Sequence, residues 1–317
     1  MAASTELGPP DAATRDAIAA LAADATKVDG REPFSEQTRL MLSSPAVTHA
    51  VRRDDAGRVV GYGQRDRAGT AELVVHPDAR RAGHGRALLD ALRSPDLRIW
   101  SHGDHPAVAA LAACGGLFPV RELWRMRRPL PLEAADDPPG PVPLPDGVTV
   151  RTFVVGQDEN AWLTLNAAAF AGHGEQGRLV RADLDARIRS DWFDADGFFL
   201  AERAVENQPQ SVSRPGVGFP QAETGPGRLV GFHWTKVHPA DAGEPAAGEI
   251  YVLGVDPAEH GGGLGRALSR IGLRHLAALG LSSVLLYVDA ENASAVAVYT
   301  RLGFRTEAVS MMYAAPA

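Results

Sequence analysis

The stretch "DPAEHGGGLGRAL" at residues 256–268 sets four glycines between an Asp-Pro corner and a run that reads as a helix. Beyond the corner, Leu264, Leu268 and Ile271 fall at i, i+4 and i+7, the spacing of one helix face. Glycine at such a corner permits unusual dihedrals and lets a ligand approach the backbone amides. The helix start adds unpaired N–H groups and a partial positive charge, a combination that holds phosphate. A single copy is equally well read as a tight turn with no ligand. The chain, however, carries a second version, "HPDARRAGHGRAL" at 76–88, in the same register.

Working outward, the two corners are landmarks of an internal repeat. "VVGYGQ" (59–64) answers "LVGFHW" (229–234), and "GGLFPVRELWRM" (115–126) answers "RLGFRTEAVSMM" (301–312). Between the halves, "PLPLEAADDPPGPVPLPDG" (129–147) is too rich in proline for a helix or a central strand. The division expected is therefore residues 1–130, a linker at 131–147, and residues 148–317. In the second half "GVTVRTF", "GFFLAER", "RLVGFHWTKV", "GEIYVLGV", "SVLLYV" and "VSMMYA" read as strands. "ENAWLTLNAAAFA" and "ENASAVAVYTRLG" read as helices, and 206–228 as a polar loop. Interleaved strands and helices make each half an α/β unit with a mixed sheet.

Composition narrows the partners. A net charge of -7 argues against nucleic acid, whose phosphates want a basic surface. No apolar run approaches membrane-spanning length, and residues 1–16 lack the pattern of a signal peptide. The lone Cys114 fits a reducing, cytoplasmic setting. No membrane partner is expected, and the chain is expected to be a monomer.

Spacing separates the candidate phosphate ligands. A dinucleotide fingerprint needs a third glycine where Leu268 and Leu88 stand, and no Gly-Lys-Ser/Thr is present for a Walker loop. What remains is Arg80-x-x-Gly83-x-Gly85 and His260-x-x-Gly263-x-Gly265. That signature, after a strand ending in Val-x-Pro, resembles the acetyl-CoA corner of GCN5-related N-acetyltransferases (GNATs). The resemblance covers both halves and implies two tandem GNAT-like domains, each a mixed, mostly antiparallel sheet flanked by helices. It implies acetyl-CoA as co-substrate and no metal. The pyrophosphate would lie on His260, Gly261, Gly262, Gly263, Leu264, Gly265 and Arg266, and the pantetheine arm along Leu253, Gly254 and Val255. The later segment Asn292, Ala293, Ser294, Ala295, Val296 and Ala297 would line the same cofactor. In the first half the matching positions are Leu73, Val74 and Val75, then Arg81, Ala82, Gly83, His84, Gly85 and Arg86.

Within that family, "AAAFAGHGEQG" (167–177), "FHWTKV" (232–237), "GEIYVLGVDP" (248–257) and "LLYVDAENASAVAVYTRLGF" (285–304) resemble the mycothiol synthases. The narrower resemblance implies acetylation of the cysteinyl amine of cysteinyl-glucosaminyl-inositol. It implies Glu36, Glu175, Lys236, Glu249 and Tyr287 as acceptor contacts, with a carboxylate for the ammonium and lysine and tyrosine for hydroxyls.

Acetyl transfer to an amine needs one base and one acid, and side chains in those roles contribute roughly 10²–10⁴-fold. Glu249 begins the strand entering the pantetheine site, and Tyr299 lies on the helix after the next strand. As bare residues, they read as a solvated strand-end carboxylate and a core aromatic; the resemblance makes them base and acid. A shift of 180 residues puts Gly69 opposite Glu249, and a shift of 186 puts Ala113 opposite Tyr299. Glu72 is near but has opposite strand parity, which predicts the other face of the sheet. The first half is expected to hold acetyl-CoA, or to descend from a form that did, without turnover. His102 and His105 read as a loop pair rather than a metal site. Two other readings stay open here: a tandem acetyltransferase for an aminoglycoside or a protein N-terminus, and a non-catalytic acyl-CoA-binding module.

Overall fold

Apolar alternation bounded by Gly, Asp and Pro turns lays down the strands in chain order. The computed structural model describes residues 3–103, 106–133, 137–172, 176–204, 227–240 and 245–316. It begins β1 (Ser4–Leu7), α1 (Ala12–Asp29), α2 (Glu36–Leu40), β2 (Thr48–Arg53), β3 (Val59–Arg65) and β4 (Thr70–Val75). Then come α3 (His84–Ala91), β5 (Arg98–Ser101), α4 (Pro106–Cys114) and β6 (Phe118–Pro129). The second half runs β7 (Val148–Thr152), α5 (Glu159–Ala169), α6 (Arg181–Ile188), β8 (Phe198–Arg203) and β9 (Arg228–His238). It ends with β10 (Ala247–Val255), α7 (Leu264–Ala278), β11 (Ser283–Asp289), α8 (Ala293–Arg301) and β12 (Arg305–Ala314). The loop read at 206–228 lies almost wholly outside the described residues.

Two compact units form, and they are interleaved along the chain. The first contains residues 1–125, 288–296 and 306–317; the second contains 126–287 and 297–305. In the first, β1 to β4 form an antiparallel sheet and β4 runs parallel to β5. The chain's last strand completes it: β12 pairs antiparallel with β5, from Met311↔Ser101 to Ala314↔Arg98. Asp11 caps α1 by accepting the Thr14 N–H at 2.8 Å, and Gly30 stops it at φ 69°. Its buried Ile18, Leu21 and Ala25 pack with Phe34, Val51, Tyr62 and Val74 on one sheet face. On the other face Leu88, Leu89 and Leu92 pack with Ile99 and Leu117.

The second unit repeats the plan: β7 to β10 are antiparallel, and β10 is parallel to β11. Trp162 of α5 fills one face, edge-on to Phe198, Phe232 and Trp234. α7 covers the other, but its buried stripe runs Leu264, Leu268, Gly272 and Leu276, while Ile271 is half-buried. Gly272 is required there because a Cβ would stand 2.1 Å from the His233 ring. Both units are thus mixed, mostly antiparallel sheets flanked by helices, and among the described residues no helix is long and apolar enough to cross a membrane.

Candidate active site

The glycine corner of the second unit is built from β10 outward. After Val255 a 3-10 turn (Pro257–Glu259) begins at Asp256, whose side chain accepts the Ala258 N–H at 2.9 Å. Arg203 of β8 and Arg228 of β9 both hold Glu259, which pins the turn to the sheet. Gly261 and Gly263 then take φ 85° and 83°, conformations that side-chain-bearing residues avoid. Gly263 is the N-cap of α7 and provides no side chain to bond its first N–H groups. A Cβ at Gly261 or Gly263 would meet no atom within 4 Å, so the loop's outer side is open. Open space beside uncapped helix donors fits a pyrophosphate. His260 bends back instead, its Nε2 3.3 Å from the Val255 carbonyl oxygen.

Next to the corner the two parallel strands part. β10 pairs with β11 at Gly248↔Val284, Glu249↔Leu285 and Ile250↔Leu286. The register stops there, although β10 continues through Leu253, Gly254 and Val255 to the corner. Those three residues keep their β9 partners His233, Phe232 and Gly231. On their other edge no strand partner is paired among the described residues, an arrangement with which an extended amide-bearing arm can pair.

Glu249 stands where the strands diverge. It is 6 % exposed, and its Oε2 lies 2.6 Å from Nε2 of His238. A Cβ on Gly248 would touch Leu276 of α7, so Glu249 faces the α5–α6 side. Lys236 is its direct antiparallel partner and shares that face. The buried Lys236 ammonium lies 4.3 Å from the ring centre of Trp192 and 5.3 Å from that of Tyr251. The Tyr251 hydroxyl accepts from Nε of Arg187 at 2.7 Å. Alternation along β11 puts the exposed Tyr287 on the same side. Lys236, Glu249 and Tyr287 are thus gathered on one face of the second unit. Glu36, half-buried, opens α2 in the first unit, and Glu175 lies outside the described residues.

Tyr299 sits on α8, half-buried, its ring edge-on to Phe304 at 5.8 Å. Burial pushes its hydroxyl up to about 12, so it keeps its proton through the neutral range. Asn292 caps α8: its Oδ1 accepts the Ala295 N–H at 3.1 Å and the Ser294 hydroxyl at 2.9 Å.

The first unit has the corner without this chemistry, although the register differs from the one expected. β10 has a bulge at Tyr251, between Ile250↔Thr235 and Val252↔Trp234, and β4 has none against β3. The extra residue makes Thr70, not Gly69, the counterpart of Glu249. It also reverses the parity argument. Glu72 alternates with Val74 toward α1, the face that corresponds to α5–α6, and not toward the opposite side. The second alignment moves by one as well, because Leu117 N–H bonds Ala112 O as Phe304 N–H bonds Tyr299 O. Ala112, not Ala113, therefore matches Tyr299, and neither Thr70 nor Ala112 is an acid or a strong base.

Glu72 has other work. It is 4 % exposed, accepts the Ser35 N–H at 2.7 Å, and bonds Nε2 of His102 at 2.9 Å. Burial pushes its carboxyl up, but these partners outweigh it and hold the group below the usual range. In the first corner Arg81 takes φ 64° where the second has Gly261, and Gly83 has φ 80° with open space beside it. Arg80 is bound by Asp29 at 2.6 and 2.8 Å and donates to Val75 O, while Arg86 bonds Asp90 and Cys114 O. Cys114 is exposed, and among the described residues no three metal-binding side chains cluster. His105 falls outside the described residues.

Sequence reasoning missed His238, Arg187, Trp192 and the bulge. The available signal was Lys236 and His238 alternating at the end of an otherwise buried strand.

The model of the Acetyltransferase (GNAT) family matches residues 184–304. A mycothiol acetyltransferase of Streptomyces coelicolor is 50 % identical over 311 residues, covering 94 % of this chain and 90 % of that protein. The mycothiol acetyltransferase of Kytococcus sedentarius is 45 % identical, with 98 % and 96 % covered. Among solved structures, a tandem GNAT protein from the clavulanic acid biosynthesis pathway superposes with TM-score 0.67 at 21 % identity, with 98 % of each chain covered. A GCN5-related N-acetyltransferase from Sphaerobacter thermophilus gives 0.62 at 23 %, with 98 % and 94 % covered.

Proposed function

The chain belongs to the mycothiol acetyltransferase family, and from that premise we propose that its second unit acetylates the cysteinyl amine of cysteinyl-glucosaminyl-inositol, giving mycothiol. The observation that carries the assignment of roles is a buried carboxylate, Glu249, at the point where β10 and β11 part above an open glycine corner.

Acetyl-CoA, when bound, supplies the activated acetyl group and leaves as its thiol. The N–H groups at Gly263, Leu264 and Gly265 hold its pyrophosphate, and the free edge of Leu253, Gly254 and Val255 aligns its arm. Glu249 takes the proton of the acceptor's ammonium, an α-amino group titrating near 8, and the neutral amine then attacks the thioester carbonyl. Lys236 and Tyr287 orient the hydroxyls of the acceptor from the same face. Tyr299 donates its hydroxyl proton toward the departing sulfur. Full transfer from a phenol at about 12 to a thiolate near 8.5 costs about 5 kcal/mol, so Tyr299 stabilises the leaving group chiefly as a hydrogen-bond donor. The first unit keeps the corner, as a present or former acetyl-CoA site, and does not turn acetyl-CoA over, because Thr70 and Ala112 stand in place of the two proton-handling groups.

The test is acceptor-dependent release of free CoA by Glu249→Gln. Turnover falls by roughly 10²–10⁴-fold with acetyl-CoA affinity kept. A variant that turns over at the full rate overturns the assignment.

A further inference from the structure

Glu249 is a poor base unless something keeps it ionised and turned the right way. A carboxylate this buried is costly without a donor, and a protonated one cannot accept the acceptor's proton. The donor present is His238. An ionised carboxylate can only accept, so Nε2 of His238 carries the proton in the 2.6 Å bond to Oε2. The pair follows from the register. Glu249 faces Lys236 across the ladder, and His238 lies two residues further along β9, so both side chains share the face of Glu249. The side chain of His238 is 39 % exposed against 7 % for Glu249, so the ring bridges the buried oxygen and water.

We propose that His238 is the positioning residue of the base, a deepening that rests on reading Glu249 as that base. Its N–H fixes Oε2 and leaves Oε1 for the amine. Also on this face, among the described residues, are Lys236 directly opposite, Tyr287 of β11, and Arg187 of α6, which bonds the Tyr251 hydroxyl. β11 contributes the apolar Leu285 beside Glu249. Lys236 lies over two aromatic rings, so it lessens the effect of losing His238 and does not replace a hydrogen bond made at Oε2.

The experiment compares the full chain with His238→Ala, His238→Gln and Glu249→Gln. CoA release is measured from acetyl-CoA and cysteinyl-glucosaminyl-inositol, with and without added imidazole. In His238→Ala, kcat/KM for the acceptor falls about tenfold to a hundredfold, a part of what a positioned base supplies. Imidazole restores part of the rate, and KM for acetyl-CoA stays put. His238→Gln, which still donates an N–H, recovers most of the rate and ignores imidazole. Should the alanine variant fail to fold, His238→Gln carries the test by itself: a kcat/KM for the acceptor near that of the parent is expected, and a loss as deep as that of Glu249→Gln overturns the role. No imidazole response in a folded His238→Ala, or a His238→Gln as slow as His238→Ala, overturns the role of His238 while an inactive Glu249→Gln leaves the base in place. A fully active Glu249→Gln overturns the base itself.

Discussion

Replacing Gly272 by alanine tests how the sheet fixes the glycine corner. On an exposed helix the exchange is favourable by about 1 kcal/mol. Here the new Cβ would stand 2.1 Å from Cε1, 2.4 Å from Nδ1 and 2.8 Å from Nε2 of His233. Ordinary contact begins beyond 3.4 Å, so either the ring or α7 must move by more than an ångström. His233 is fully buried, and its Nδ1 lies 2.7 Å from the Leu268 carbonyl oxygen on α7 itself. Moving the ring gives up a buried hydrogen bond worth about 1–3 kcal/mol, and moving the helix costs a similar overpacking penalty. Less the propensity gain, Gly272→Ala destabilises the second unit by about 1 kcal/mol, or roughly 2–4 °C in Tm. Chemical denaturation of single and double variants measures it. In a His233→Ala background the same exchange becomes neutral or favourable, a coupling of about 2 kcal/mol between the sites. A Gly272→Ala protein as stable as the parent, or a cycle with no coupling, refutes the reasoning. Because α7 begins at Gly263, a shifted helix also weakens acetyl-CoA binding.

Three other outcomes follow from the same geometry. Burial lowers His233 to about 4, so the folded state keeps it neutral while an unfolded chain protonates it below about 6.5. Its contribution is complete above pH 6.5 and is lost as pH falls toward 4, by up to about 3 kcal/mol, so that Tm declines across that window and declines less in His233→Ala. Gly263→Val, at φ 83°, raises Kd for acetyl-CoA at least about tenfold in CoA-release kinetics through strain and loss of open space. Gly83→Val spares kcat, and equal losses in both variants contradict the division of labour. Tyr299→Phe lowers kcat by about ten- to a hundredfold with no change in profile shape below about pH 11, since its hydroxyl stays protonated there. A lost alkaline limb near pH 9 would count against that role.

What was legible in the sequence was local. The corner was readable because left-handed backbone at Gly261 and Gly263 demands glycine, and because a duplicated pattern is hard to produce by chance. Strands with strict alternation were readable for the same local reason. The parity of Glu72 was misjudged because a bulge inserts one residue without changing the residue types around it. No periodicity marks Tyr251 as the extra one. The pairing of Glu249 with His238 depends on which strands are neighbours, a property of topology. The stripe through Gly272 was hidden because the position matters for the room it leaves, and a hydrophobic count gives glycine no weight.

The return of the chain's end to its first unit has a consequence for synthesis. β5 acquires its antiparallel neighbour only when residues 305–314 emerge from the ribosome. Until translation is nearly complete, the amino-terminal half waits with a bare hydrogen-bonding edge, the kind that recruits other nascent chains. A fragment cut at the proline-rich segment would carry that sticky border permanently.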